Sequence, residues 1–203
     1  MTDTPPPRLV LASGSASRRA MLAAAGVPCV LEPAAVDEAG VKEALRAEGA
    51  SPAEVAEALA ELKATRAGRR HPGALVLGAD QMLDCDGAWI DKATSIDEVR
   101  ATLLSLRGRT HRLTSAAVIV RDGQRIWHSV TEARLTMRAF SDDFLDDYLA
   151  AVGDDVLASV GCYHIEGLGV QLFDRVQGDT FTIRGLPLLP LLGFLRTWGV
   201  IAP

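Results

Sequence analysis

Between Ser13 and Arg19 the chain places three hydroxyls and two guanidinium groups within seven residues. They fall where a short apolar run, Leu9 to Ala12, gives way to a helix-forming segment, Arg18 to Ala25, ended by Gly26. Ser13, Ser15 and Ser17, the free N–H groups of a helix start, and Arg18 and Arg19 are what holding several phosphate oxygens requires. The same string also reads as a capping serine, Ser17, followed by surface arginines.

Carboxylates come next. Asp80 follows the apolar run Leu75 to Leu77 and the pair Gly78-Ala79, which lets backbone or ligand approach closely. A carboxylate at the mouth of a buried strand is costly unless a cation or metal compensates it, so Asp80 is a candidate for chemistry. Lys92, beyond an Asp86-Gly87 turn, is the cation that could return to it; on spacing alone it is an exposed turn lysine. Asp37 and Glu38 read either as a surface turn or as carboxylates beside a metal. Lys63, in the stretch ELKA, is ordinarily a solvated position. The segment GCYHIEGLG, Gly161 to Gly169, contains His164 and Glu166. Its glycines allow the backbone to wrap a flat ligand, and an ionised Glu166 offers two acceptor oxygens, although a glycine-rich turn explains the composition equally well. Gly185 to Leu192 reads as helix start and core.

The elements that must position these groups alternate in type. Val27 to Leu31 is expected as a second strand. Ser51-Pro52-Ala53-Glu54 is a capping box launching a helix to about Gly68, with Val55, Leu59 and Leu62 on one face. Ala74 to Ala79 reads as a buried strand ending at Asp80, and Asp86-Gly87 turns the chain before Trp89 and Ile90. Ser95 to Glu98 opens a helix to about Leu106. Thr110 to Val120 and Gln124 to Met137 form a long hairpin about Asp122-Gly123, and Ser141 caps a helix through about Ala151. Gly169 to Val176 resembles a strand and Leu188 to Trp198 a closing helix. The pattern predicts an α/β fold, a mixed β-sheet flanked by helices.

With 203 residues and 48% of them hydrophobic, the chain can bury one sizeable core. We expect a single domain over 8–203 and a disordered, proline-rich tail over 1–7. A formal net charge of -5 argues against nucleic acid as a partner, so any cationic binding surface must be local. Cys29, Cys85 and Cys162 suggest neither a disulfide framework nor a zinc site, as in a reduced, cytoplasmic protein. Met1 to Pro7 lacks an apolar signal region, and Leu186 to Leu195 is broken by Pro187 and Pro190, so no signal peptide or membrane span is expected. The histidines form no HExxH, and there is no GxxxxGK[ST] loop, no GxSxG elbow and no dinucleotide fingerprint.

Taken in order, LASGSASRR, VDEAG, ELKA, GADQ, DKA, GCYHIEGLG, GD and GLPL resemble the Maf family of nucleotide pyrophosphatases from about Leu9 to Gly199. The resemblance implies an inosine-triphosphatase-like fold, a nucleoside triphosphate substrate, a homodimer and a divalent cation, Mg2+, Mn2+ or Co2+. It also implies roles: Ser15 and Arg19 on phosphate, beside Ser13 and Arg18; Lys63 and Lys92 as cations at the phosphates; Asp80 as proton acceptor; Glu38 with Asp80 toward the metal. Three marks, Ser17 as an extra residue, Asp80-Gln81 and Glu166-Gly167, are similar to the subgroup acting on 7-methyl-GTP and assign Gln81 and Glu166 to base specificity. A dTTP or UTP pyrophosphatase of the same family, or a non-catalytic nucleotide-binding regulator of septum formation, is the alternative. Ala16 and Ala93 stand where proline is usual, Asp91 where glycine is usual, and Arg184 precedes the last Gly-Leu-Pro.

Overall fold

The computed structural model describes residues 8–203; the tail expected over 1–7 lies outside the described residues. Its strands are β1 (Leu9–Leu11), β2 (Val30–Leu31), β3 (Leu75–Cys85), β4 (Ala88–Ile90), β5 (Thr110–Arg121), β6 (Gln124–Met137) and β7 (Phe173–Gln177). The helices are α1 (Ala16–Ala24), α2 (Glu38–Ala47), α3 (Pro52–Gly68), α4 (Ile96–Leu106), α5 (Asp142–Val152), α6 (Thr180–Ile183) and α7 (Leu188–Thr197). All the strands join one mixed sheet in the order β2-β1-β3-β5-β6-β7, with β4 folded back on β3. β1 runs parallel to β2 and β3, and the remaining pairs are antiparallel. The expected fold class is therefore the one observed.

Side chains alternate across a strand, and the first half of the sheet uses both faces. Leu9, Leu11, Leu75 and Leu77 pack with Met21 and Leu22 of α1 and Leu191 and Leu195 of α7. Val10, Ala12 and Val76 pack with Val55, Ala56 and Leu59 of α3. Farther along the same strands, Leu83, Leu113 and Leu135 meet Leu103 of α4 and Leu145 of α5 in another buried cluster.

Helix α3 begins as predicted, with Ser51 and Glu54 making both bonds of the capping box and Pro52 in the first turn. Its buried face differs from the expected one: Val55 and Leu59 are buried, but Leu62 is 44% exposed. The face runs through Ala56, Ala60, Lys63, Ala64 and Ala67 instead. These small side chains let α3 lie against the backbone of β3, and a Cβ on Gly78 would stand 1.9 Å from the Ala60 carbonyl oxygen. Strand β3 also does not end at Asp80; it continues to Cys85, paired with β5. Of the strand expected over Gly169 to Val176, only the part from Phe173 is extended, and a 3-10 turn occupies Leu168–Leu172.

Candidate active site

Why chemistry concentrates at Asp80 follows from where β1 stops. Its last partner on β3 is Leu77, opposite Leu11, while β3 runs on beside β5 with Asp80 opposite Ala116. Beyond β1 the chain turns through Ser13 to Ser15 into α1, which opens a cleft of about 650 Å³ over the middle of β3. Asp80 shares the sheet face of Val76 and Gly78, and therefore meets α3.

On α3 waits Lys63. Its Nζ lies 2.5 Å from Asp80 Oδ1 and 2.7 Å from Glu38 Oε1, so the ammonium bridges a carboxylate from the sheet and one from α2. Lys63 and Asp80 are buried, whereas the Glu38 side chain is half exposed. Burial pushes the Glu38 carboxyl up, but the Lys63 hydrogen bond and the charges of Lys63, Lys42 and Lys92 outweigh it and hold the group below its usual range. Lys92 lies in the same wall, its ammonium shifted down first by burial and then by the charge of Arg18. A cleft that concentrates cations around a buried carboxylate suits an anionic ligand and a proton acceptor.

The serine-arginine string divides its labour in a way the sequence left open. Ser15, rather than Ser17, caps α1, accepting from the Arg18 N–H at 3.4 Å. Ala16 thus occupies the first helical position, where proline is well tolerated. The Ser17 hydroxyl donates to the Arg184 carbonyl at 3.3 Å. Arg18 is buried and spans three elements: Nε donates to the Gly185 carbonyl, and Nη1 to Ser13 Oγ and the Ala79 carbonyl, all at 2.8–2.9 Å. Much of its donor set therefore fixes the walls of the cleft. Arg19, the sequence-predicted phosphate contact, is exposed and takes no part in the cleft wall. Adjacent helix residues point about 100° apart, so the two arginines cannot both face inward.

Gln81 and Glu166 also line the cleft. The Gln81 amide nitrogen donates to Ser115 Oγ and to the Thr182 and Ile183 carbonyls, each at 3.0 Å, so Gln81 ties β3 to α6 with the donor end of its side chain. Glu166 Oε1 lies 3.1 Å from Arg184 Nε. Behind it, Tyr163 of the same loop hydrogen-bonds through its hydroxyl to His111 Nε2 of β5 at 2.7 Å. The sequence reading missed Lys42, whose ammonium pairs with Asp91 in the cleft wall. The available signal was the four-residue spacing from Glu38, which places both on one face once the segment is helical.

Among the described residues no three His, Cys, Asp or Glu side chains converge on a metal-sized site. Of the carboxylates that line the cleft, Glu38 and Asp80 are the two that share the Lys63 ammonium. That donor set does not fit an all-protein cage, but it fits Mg2+-like cations, which take one or two carboxylates and complete their shell with water and substrate phosphates.

The sequence family described as Maf-like protein matches residues 8–198. The chain is 58% identical over 194 residues to a nucleoside triphosphate pyrophosphatase of Paramagnetospirillum magneticum, covering 96% of this chain and 100% of that protein. It is 51% identical over 194 residues to a 7-methyl-GTP pyrophosphatase of Mesorhizobium japonicum, covering 96% and 98%. A 7-methyl-GTP pyrophosphatase of Rhizobium meliloti is 48% identical over 195 residues, with the same coverage.

Proposed function

Because the chain belongs to the Maf-like protein family, we propose that it hydrolyses the α–β phosphoanhydride of a nucleoside triphosphate to the monophosphate and pyrophosphate. That makes it a hydrolase acting on acid anhydrides, as its nucleoside triphosphate pyrophosphatase relatives are named. The observation that carries the mechanism is the Glu38–Lys63–Asp80 array, buried at its Lys63 and Asp80 end, in a cleft that also holds Lys92 and Arg18.

In this mechanism Lys63 fixes Asp80 through Oδ1, and Oδ2 holds the attacking water and takes its proton. Lys63 and Lys92, with the free N–H groups at the start of α1, meet the non-bridging phosphate oxygens as charge builds on them. Ser13 and Ser15 place hydroxyls beside that helix start. A divalent cation held by Glu38 and Asp80 would neutralise phosphate charge and orient the triphosphate. General-base assistance contributes roughly 10²–10⁴-fold.

For the base, the reading commits to 7-methyl-GTP, the substrate named for two of the relatives. Guanine presents two adjacent donors, N1–H and the 2-amino group, which match the two oxygens of Glu166, and N7-methylation adds positive charge that a carboxylate favours. Gln81, its amide nitrogen committed to Ser115, Thr182 and Ile183, is fixed in this wall and offers the base its side-chain oxygen alone. A cytoplasmic homodimer without nucleic-acid partners completes the reading; the net charge of -5 supports the last of these.

Pyrophosphate release from 7-methyl-GTP, GTP, UTP and dTTP at fixed metal concentration tests it. The expected ranking places 7-methyl-GTP above UTP and dTTP in kcat/KM, and Glu166→Gln should narrow the gap. Nucleotide-dependent stabilisation without any pyrophosphate would leave a binding protein and end the hydrolase reading.

A further inference from the structure

Arg184 enters the cleft wall from a backbone that is held on both sides. Gln81 bonds the carbonyls of Thr182 and Ile183, Ser17 bonds that of Arg184 itself, and Arg18 bonds that of Gly185. Four carbonyls in succession are thus fixed by residues that line the same cleft. From this support the side chain reaches Glu166, with Nε 3.1 Å from Oε1.

The contact is close yet incomplete. Arg184 Nε is sealed from water and makes no aligned hydrogen bond, so the N–H is a buried donor left unsatisfied. Such a donor is costly, and a half-exposed ion pair does little to offset it. Stability alone therefore gives no reason for an arginine here. A ligand that brings an acceptor does, because it would satisfy a donor whose backbone is already positioned.

We propose that Arg184 is a specificity-determining residue that reads the acceptor edge of a purine base, an assignment that rests on the nucleotide reading above. When the N1–H and 2-amino donors of guanine engage Glu166, the guanidinium exchanges its carboxylate partner for O6 and N7 on the neighbouring edge, the pairing that suits arginine's two-pronged geometry. Methylation at N7 removes one of those acceptors and puts positive charge beside a cation. Glu166 and Arg184 therefore pull in opposite directions: the carboxylate favours the methylated ring, and the arginine restores affinity for unmethylated guanine. The enzyme accepts both GTP and 7-methyl-GTP, with Arg184 setting their ratio.

Equilibrium binding of GMP and 7-methyl-GMP to the full chain reads this without requiring turnover. Arg184→Met keeps the aliphatic stem and deletes the donors. It should weaken GMP by about tenfold or more while leaving 7-methyl-GMP unchanged or tighter. Pyrophosphate release from the two triphosphates should shift in the same sense. Parallel loss for both nucleotides would mark a structural role and overturn the proposal, as would no change in either. Should Arg184→Met fail to fold, Arg184→Lys, which keeps charge but loses the fork, carries the test: weaker GMP at constant 7-methyl-GMP supports it, and equal loss overturns it. If the binding ratio shifts while wild type releases no pyrophosphate from any triphosphate, the hydrolase reading fails and the Arg184 assignment stands.

Discussion

Lys63 sits between two carboxylates of unequal burial, Asp80 almost out of water and Glu38 half in it, and that inequality decides how each partner responds to loss of the others. Removing the negative charge at Asp80 leaves the ammonium with Glu38 at 2.7 Å, so Asp80→Asn should fold with little loss of stability. Its turnover should fall by at least about 10²-fold while product monophosphate still binds, because the amide keeps the shape but not the basic oxygen. Lys63→Met is the harsher change. Glu38 can turn to solvent, but Asp80 is left buried without its cation, a situation that costs about 3 kcal/mol or more. Urea denaturation of both variants, beside their kcat, checks the contrast: if Asp80→Asn destabilises as much as Lys63→Met, the array is not held as described. The carboxylate itself was legible in the sequence as a charge following an apolar run. Its partner was legible only through the family resemblance, because on spacing alone a lysine on a helix reads as solvated until the helix is known to lie on that strand.

The juxtaposition of α3 and β3 is an element-scale consequence of small residues. Gly78 on the strand and Ala56, Ala60, Ala64 and Ala67 on the helix bring the two backbones into contact, and this carries Lys63 to Asp80. Gly78→Ala places a Cβ 1.9 Å from the Ala60 carbonyl oxygen, so helix or strand must move. Overpacking of this kind costs roughly 1–3 kcal/mol or more, and a small misplacement of a catalytic group can cost about 10²-fold in rate. The matched control is Gly193→Ala in α7, where an added Cβ meets nothing within 4 Å; it should be neutral or stabilise by about 0.5–1 kcal/mol. Equal melting points for the two variants would contradict the close packing. The elements that were legible are those with local punctuation: the Ser51 and Ser95 caps, and the two Asp-Gly turns whose residues adopt positive φ, 51° and 83° at Asp86-Gly87 and 50° and 79° at Asp122-Gly123. Helix α2 was missed because its apolar stripe is short: Val41 and Leu45, four residues apart and only partly buried, pack toward α3, too few positions to set a period against the polar residues around them. The end of β3 was misplaced because a lone carboxylate looks like a strand terminus, and it is the pairing with β5, from Asp80 with Ala116 to Asp84 with Arg112, that carries the strand on.

Across the whole molecule, β3 and β5 thread from the clusters under α1, α3 and α7 into the one under α4 and α5, and the cleft lies where they pass between. The loop that supplies Glu166 is fastened to the second of these regions through Tyr163 and His111. His111 is fully buried among Tyr163 and Phe173, and its Nδ1 has no hydrogen-bond partner. Burial pushes its pKa down from 6.5 to about 4, so the folded protein keeps the ring neutral where the unfolded chain would protonate it. Below pH 6.5 the unfolded state binds the extra proton, and stability must fall as the pH drops toward 4, after which the loss levels off. Between pH 7 and pH 5 the contribution is about 2 kcal/mol, or roughly 4–8 °C in Tm for a chain of this size. Glu38, whose carboxyl is held below its ordinary range, loses stability in the same direction but mainly below pH 4.5. The diagnostic quantity is therefore a difference of slopes. His111→Gln removes the titrating ring while retaining a polar group opposite Tyr163, so whatever its melting point at pH 7, the decline from pH 7 to pH 5 should be shallower than in wild type by those few degrees. Parallel melting curves over that range would mean that His111 is not the buried neutral base that its surroundings require.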